Sequence, residues 1–346
     1  MTIRVYLVRR LALMVLVMFG VATITFLISH VIPSNPALIY VPQHLHADQI
    51  KLILHQLGFD RPLYVQYGIY MKDLVTGHWG SSLISRTPVL TGIGNYLPAT
   101  LELIIIAMTI ATIVGVLFGV TSAHMKGRWI DLVLRMFSTA GVSVPVFWLA
   151  IMLQLLFVQI LHHHDGSGWL PVSGQADIFV NQAHPVHAIT HMYAVDALIT
   201  GNWHAFWDAF QHLIMPVLAL AAYPIGVFTR ITRGSMLEAM GLDYVRMAKA
   251  MGMPTRKLLF KAALKNAMGP VLTLMGLNFA YALVGTFFIE WIFAWAGFGL
   301  YTTTAILNLD YPVIIGVTVM MSAVYVVVNL IVDMIQVRID PRITLS

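Results

Sequence analysis

Cysteine is absent from this sequence and charge is scarce. Without cysteine there are no disulfides, no thiolate chemistry and no Cys-ligated metals, while the compartment is left open. Only 10% of the 346 residues are Asp, Glu, Lys or Arg, against about 25% in ordinary soluble domains. The deficit runs over most of the chain, which excludes a soluble domain on a single anchor. With 59% hydrophobic residues and a mean hydropathy of +0.81, the chain carries more apolar surface than a soluble core of its length buries, so it must face lipid. Also missing are a G-x-x-x-x-G-K-[ST] phosphate loop, an internal repeat and a low-complexity tract. The formal charge of +5 does not point to nucleic acid, because the basic residues sit beside hydrophobic spans rather than in a solvated patch with interleaved aromatics.

What is present is a series of apolar runs near 11–32, 99–123, 136–161, 213–229, 270–293 and 312–335, each about the length that crosses 30 Å of hydrocarbon as a helix. The expectation is an all-α polytopic membrane protein with six transmembrane helices, a single domain over 1–346 and both termini on one side. Arg4, Arg9 and Arg10 precede the first run as in a signal peptide. That run is too long, however, and no small-residue cleavage site follows, so an uncleaved first helix is expected.

Sixteen of the twenty Lys and Arg residues lie before the first span, between the second and third, between Arg230 and Lys265, or after the last, whereas 162–212 and 294–311 contain none. That asymmetry places both termini in the cytoplasm. Lys51, Arg61, Lys72 and Arg86 all fall in the 33–97 segment, which is long enough to translocate regardless of charge. Proline and glycine punctuate both external segments, 33–97 and 162–212, so they read as short helices and turns.

The cytoplasmic loop 243–266 reads as helix, break, helix. Asp243 can cap the first piece, Gly252 can take the left-handed conformation after it, and Pro254 stands where a new helix begins. A basic helical elbow of this kind is either a solvated positive-inside loop or a shape made for a groove on another protein.

Ala248, Gly252 and Ala262 in this loop are spaced as in the permeases of binding-protein-dependent ATP-binding-cassette (ABC) importers, which the sequence resembles. Arg246-Met247-Ala248 stands where the older consensus has Glu-Ala-Ala, and Asp243-Tyr244, Gly252, Asn266 and Pro270 resemble the dipeptide, oligopeptide and nickel branch. Leu57-Gly-Phe-Asp-Arg-Pro-Leu-Tyr-Val-Gln-Tyr67, Gly77-His-Trp-Gly-Ser-Ser82, Ser143-Val-Pro-Val-Phe-Trp148, Leu170-Pro-Val-Ser-Gly174, Phe293-Ala-Trp-Ala-Gly-Phe-Gly299 and Asp340-Pro-Arg-Ile343 extend the resemblance over nearly the whole chain. It is to the longer of two paralogous permeases. It implies a second permease as partner, two cytoplasmic ABC ATPases that bind ATP and magnesium, an external binding protein, and no cofactor or catalysis in this chain. The ATPase-coupling residues it implies are Asp243, Tyr244, Arg246, Ala248, Gly252, Arg256, Lys257 and Asn266, and the cargo is a short peptide, or alternatively nickel or a metallophore.

Candidate residues along a solute path are Glu102, Asn278, Glu290 and Asn329. Glu102, after Pro98, reads as a carboxylate in the first turn of the second span that complements the helix dipole. Glu290 reads as part of an interfacial belt with Trp291 and Trp295. The two asparagines suit interhelical hydrogen bonds equally well. Charges near span ends rather than paired at mid-membrane argue against a gradient-driven carrier. His187 and His191, four apart, would share a helix face with metal-ligand geometry, which keeps open a membrane metalloenzyme as the rival from another class.

Overall fold

The computed structural model describes residues 3–31, 55, 61–157 and 170–339. Expectations placed on most of 33–60, on 158–169 and on 340–343 lie outside the described residues. Within them the architecture is all helical: α1 (Ile3–Val31), α2 (Leu63–Thr76), α3 (Val89–His124), α4 (Trp129–Ser143), α5 (Val146–Leu155), α6 (Ile178–Ala183), α7 (Tyr193–Ile199), α8 (Trp203–Met240), α9 (Asp243–Ala250), α10 (Thr255–Ile292, with a π-helical stretch at Leu258–Ala263), α11 (Phe298–Leu307) and α12 (Tyr311–Ile339). Five of these, α1, α3, α8, α10 and α12, are long and apolar enough to cross a membrane, and α4 with α5 makes a sixth if the bent pair is one span.

Two sequence expectations are corrected here. The run 136–161 is not one straight helix: α4 and α5 meet at a bend of 105°. Pro145 lacks an N–H and disfavours helix in the residue before it, and Val144 is accordingly extended (φ −86°, ψ 125°). In the opposite sense, Pro98 does not open a helix. It lies inside α3, which begins at Val89, so Glu102 sits well within the helix and not in its first turn. Pro216, Pro224 and Pro270 are also inside helices, as neighbouring elements permit in membrane proteins. The helices overrun the apolar runs because hydropathy marks only their lipid-compatible middle.

The chain divides into two units, residues 1–97 with 301–327 and residues 98–300 with 328–346. In the first, Phe26 of α1 packs on Tyr67 and Tyr70 of α2, and Tyr67 shares a 2.7 Å hydrogen bond with Thr23. The Gly77-His-Trp-Gly-Ser-Ser82 turn closes on Asp310 before α12, whose carboxylate accepts from Ser82 Oγ (2.6 Å) and Leu83 N–H (3.0 Å). In the second unit α8 is the hub, packed against α4, α5, α7 and α10. Small residues let the helices approach closely. A Cβ at Gly226 would lie 2.5 Å from the Ser138 carbonyl oxygen, and one at Gly119 would lie 2.5 Å from Thr232 Cβ. Ser138 Oγ donates to the Gly226 carbonyl at 2.7 Å across that α4–α8 crossing.

Candidate functional site: a basic elbow and four buried carboxylates

The elbow expected at 243–266 is present, with two differences. Asp243 is the first helical residue and Leu242 the N-cap, so Asp243 does not cap through its side chain. It remains favourable next to the positive end of the helix. The second piece is not a separate short helix either, because Thr255 onward continues without a break into the spanning part of α10. Gly252 has φ +79°, and Gly252 N–H donates to Lys249 O (3.0 Å) while Met253 N–H donates to Ala248 O (3.1 Å). That pair of bonds is the Schellman arrangement, which calls for glycine at this position. Pro254 then caps the start of α10.

The residues singled out in the elbow fall into two groups. Ala248, with Val245, packs on Leu258 and Ala262, so the small side chains seat α9 on the π-helical stretch. Tyr244 OH donates to Ala262 O at 3.2 Å and accepts from Asn266 Nδ2; these two residues brace the angle. Asp243, Arg246, Arg256 and Lys257 are exposed, and beside them Met247 and Met251 are 64% and 72% exposed. The result is a rigid outcrop with a basic, methionine-bearing face.

Near the elbow, loop 124–128 is held by Asp131. Its carboxylate, 1% exposed, accepts from Arg233 Nε (2.8 Å) and Nη2 (3.0 Å), from Ser122 Oγ (2.6 Å) and from Gly127 N–H (3.1 Å). The sequence reading missed this pair, although an acid and an arginine flanking apolar helices were both visible to it.

The solute-path candidates are placed unequally. Glu290 is fully buried and accepts from Thr100 Oγ1 (2.5 Å), Gly299 N–H (2.7 Å) and Leu300 N–H (3.0 Å). It therefore sits inside the protein and not in an interfacial belt. A Cβ at Gly297 would lie 2.5 Å from its Oε2, which explains a glycine there. Trp295 Nε1 donates to Ala99 O (3.2 Å), and Gly174 N–H to Phe293 O (2.8 Å). Gln154, another residue the sequence reading passed over, bridges Val172 O (2.9 Å) and Ile292 O (3.1 Å). Two motifs far apart in sequence, 170–174 and 293–299, are thus tied together beside α3.

Glu102 is also buried and accepts from Val195 N–H (3.1 Å) in the first turn of α7, so it caps a neighbouring helix. Its other oxygen has no partner, and the residue lines an otherwise apolar cavity of about 340 Å³ between α3, α7 and α8. Asn278 is 4% exposed on α10, and Asn329 is half-buried on α12. His187 and His191 do not share a helix face: both lie in the irregular stretch before α7, exposed, with His191 at φ +60°. Among the described residues no three His, Asp or Glu side chains converge as metal ligands. In that stretch Asp196 organises the backbone, accepting from the Thr190 hydroxyl (2.6 Å) and from N–H of Thr190, Ile189 and His191. Burial pushes its carboxyl up, yet these donors outweigh burial and hold it below the ordinary carboxylate value.

Comparison with known proteins agrees with this architecture. Residues 115–345 match the family described as binding-protein-dependent transport system inner membrane component, and residues 3–104 match the N-terminal model of such membrane components. The dipeptide transport system permease protein DppB of Alkalihalophilus pseudofirmus is 40% identical over 98% of this chain and 98% of its own length. The probable D,D-dipeptide transport system permease protein DdpB of Escherichia coli is 40% identical over 95% and 94%, and the di/tripeptide transport system permease protein DppB of Pseudomonas aeruginosa is 36% identical over 98% of each. With one family model covering more than half of the chain and relatives aligned end to end, this multi-pass membrane protein belongs to the family of binding-protein-dependent transport system inner membrane components.

Proposed function

We propose that this chain is one permease subunit of an ABC importer for short peptides, lining half of the solute path with its termini in the cytoplasm. The observation that carries the reading is end-to-end similarity to permeases named for dipeptides and tripeptides; those names favour peptide over nickel or a metallophore. The partners are a second, paralogous permease, cytoplasmic ATPases that bind ATP and magnesium, and an external binding protein. The α9–α10 elbow is the coupling device. Arg246, Met247, Met251, Arg256 and Lys257 meet the ATPase, while Tyr244, Ala248, Gly252 and Asn266 keep the outcrop rigid enough to transmit a push. The chain itself is not catalytic.

The test is affinity purification from native membrane, followed by ATP-driven uptake of radiolabelled dipeptides in proteoliposomes. Recovery of a second permease and an ATPase in stoichiometric amount, with uptake that requires ATP, is the expected result. Uptake by this chain alone, or a preparation with no ATPase, would sink the proposal.

A further inference from the structure

The break between α4 and α5, which together are long and apolar enough for one bent span, leaves backbone groups without helical partners inside that stretch. Val144 N–H donates to Ala140 O and Leu149 N–H to Pro145 O. Pro145 has no N–H, and the N–H groups of Val146, Phe147 and Trp148 open a new helix of ten residues, so no residue of that helix can accept from them. The start of α5 therefore carries the partial positive charge of a helix N-terminus. Irregular backbone at membrane depth is tolerated only where protein buries it or where it lines a cavity. Here Val144, Pro145 and Val146 line a cavity of about 280 Å³ together with Ser143, Tyr223 and Asn278.

Asn278 supplies the second, independent observation. Its Nδ2 donates to Leu274 O at 2.8 Å, while Oδ1, on a side chain only 4% exposed, accepts from no group. A buried amide oxygen without a donor is a rare exception in folded proteins. Ser143 spends its proton on Thr139 O (2.8 Å), so its oxygen is left as a further acceptor. The cavity thus combines free backbone donors with side-chain acceptors, and neither Lys nor Arg is among its lining residues.

From this geometry we infer that the cavity at the α4–α5 break is a subsite for the carboxylate end of a peptide in transit, an inference that rests on the peptide-import reading. The carboxylate lies at the free N–H of Val146, the one of the three that lines the cavity, and the adjacent peptide N–H or ammonium donates to Asn278 Oδ1. Attraction by a helix terminus alone, without a cation, suits a position that must release its ligand. At about 280 Å³ the cavity stands at the lower edge of small-ligand sites, which run from about 300 Å³ upward. It takes one end of a peptide and is indifferent to the remainder.

The test uses the permease–ATPase assembly in nanodiscs, without binding protein, and a dipeptide with a diazirine side chain and a free carboxylate. After photolysis, adducts are mapped on this chain by mass spectrometry. The expected adducts fall in 143–146 or 278–282, are prevented by excess unlabelled dipeptide acid, and persist with the C-terminal amide. Asn278→Leu lowers their yield about fivefold, as loss of one hydrogen bond implies, while Asn278→Ser, which keeps an oxygen acceptor, retains most of it; both variants are checked for intact assembly by gel filtration. Adducts only elsewhere, equal competition by the amide, or an unchanged yield in Asn278→Leu overturn the subsite. ATP-driven uptake by the same assembly with binding protein restored separates the two readings. Uptake without adducts at the break removes the subsite and leaves the importer, whereas adducts without uptake of any peptide show carboxylate binding at the break but remove the importer and, with it, the role in transit.

Discussion

The two ends of the α3 stretch in the second unit hold their neighbouring carboxylates by different chemistry. Beside His124, Asp131 is met by the fork of Arg233; beside Ala99, Glu290 and Glu102 are met by a hydroxyl and by backbone N–H groups. The difference follows from where the cations lie. The segments that pack at the Ala99 end, 170–212 and 293–300, contain no Lys or Arg; on the proposed orientation this is the external end, and basic residues are retained on the cytoplasmic side. A buried acid at that end is satisfied by a hydroxyl and by backbone wrapped around it, which requires glycines such as Gly297 where the wrap is tight. The basic end can use an ion pair and still has cations left over to expose on the elbow.

Breaking the ion pair should cost most. Asp131→Ala strands the partly buried Arg233 guanidinium and removes the acceptor for Ser122 and Gly127, a loss of about 3 kcal/mol, the low end for a buried pair because Arg233 keeps 22% exposure. Thermal unfolding in detergent should register a large drop in midpoint, and an unchanged midpoint would remove the ion pair from the comparison. Glu290→Ala comes next, leaving Thr100 Oγ1 and the Gly299 and Leu300 N–H groups without their acceptor. Water entering the space left by the side chain can meet these donors, so a cost of about 1–3 kcal/mol in all should appear in the same assay, accompanied by faster proteolysis around 293–300. If Glu290 were a surface belt residue, its removal would pass almost unnoticed.

Gly252→Val tests the elbow. A β-branched residue in the left-handed region costs roughly 1–2 kcal/mol, so the variant should insert into membrane in normal amount yet lose peptide uptake while ATP hydrolysis persists. Uptake at the wild-type rate would dissociate the elbow from coupling. Met247→Ser with Met251→Ser touches only exposed positions and should change stability by less than about 0.5 kcal/mol, while weakening recovery of the ATPase in affinity purification several-fold; undiminished recovery would place the contact elsewhere.

The smallest effect is a pH response at Asp196. Its folded value lies below its unfolded one, so its contribution is fully present above the ordinary carboxylate value of about 3.9 and is lost only as pH falls below that, through the lowered value. Limited proteolysis of 184–200 should therefore be constant from neutral pH down to about 5 and accelerate only in stronger acid. Thr190→Ala should bring that acceleration to higher pH, and a rise already at neutral pH would mean that another group governs the loop.

Much of the fold could be read from residues alone because lipid imposes a length and a polarity that few sequences meet by chance. The elbow was legible for a related reason: Gly252 and Pro254 have narrow backbone preferences, and those preferences act locally. The α4–α5 bend was less legible, since Pro145 in an apolar run signals either a kink or a tolerated proline, and Pro216 and Pro224 in α8 show the second outcome. Only the neighbours of each proline decide. His187 and His191 failed as a pair for a similar reason, because a spacing of four has meaning only on a helix and Asp196 organises that stretch as a loop.

By itself, then, the sequence determined the class of molecule, the number of apolar runs, the side on which cations accumulate and the turn at Gly252, all consequences of composition or of a single residue's torsional freedom. Tertiary structure decided which carboxylates are buried and how each is satisfied. Thr100 meets Glu290, Arg233 meets Asp131 and Asn278 Oδ1 meets no donor. These outcomes depend on partners roughly a hundred or more residues away, and a buried polar group takes its role from whatever the fold brings within hydrogen-bond reach.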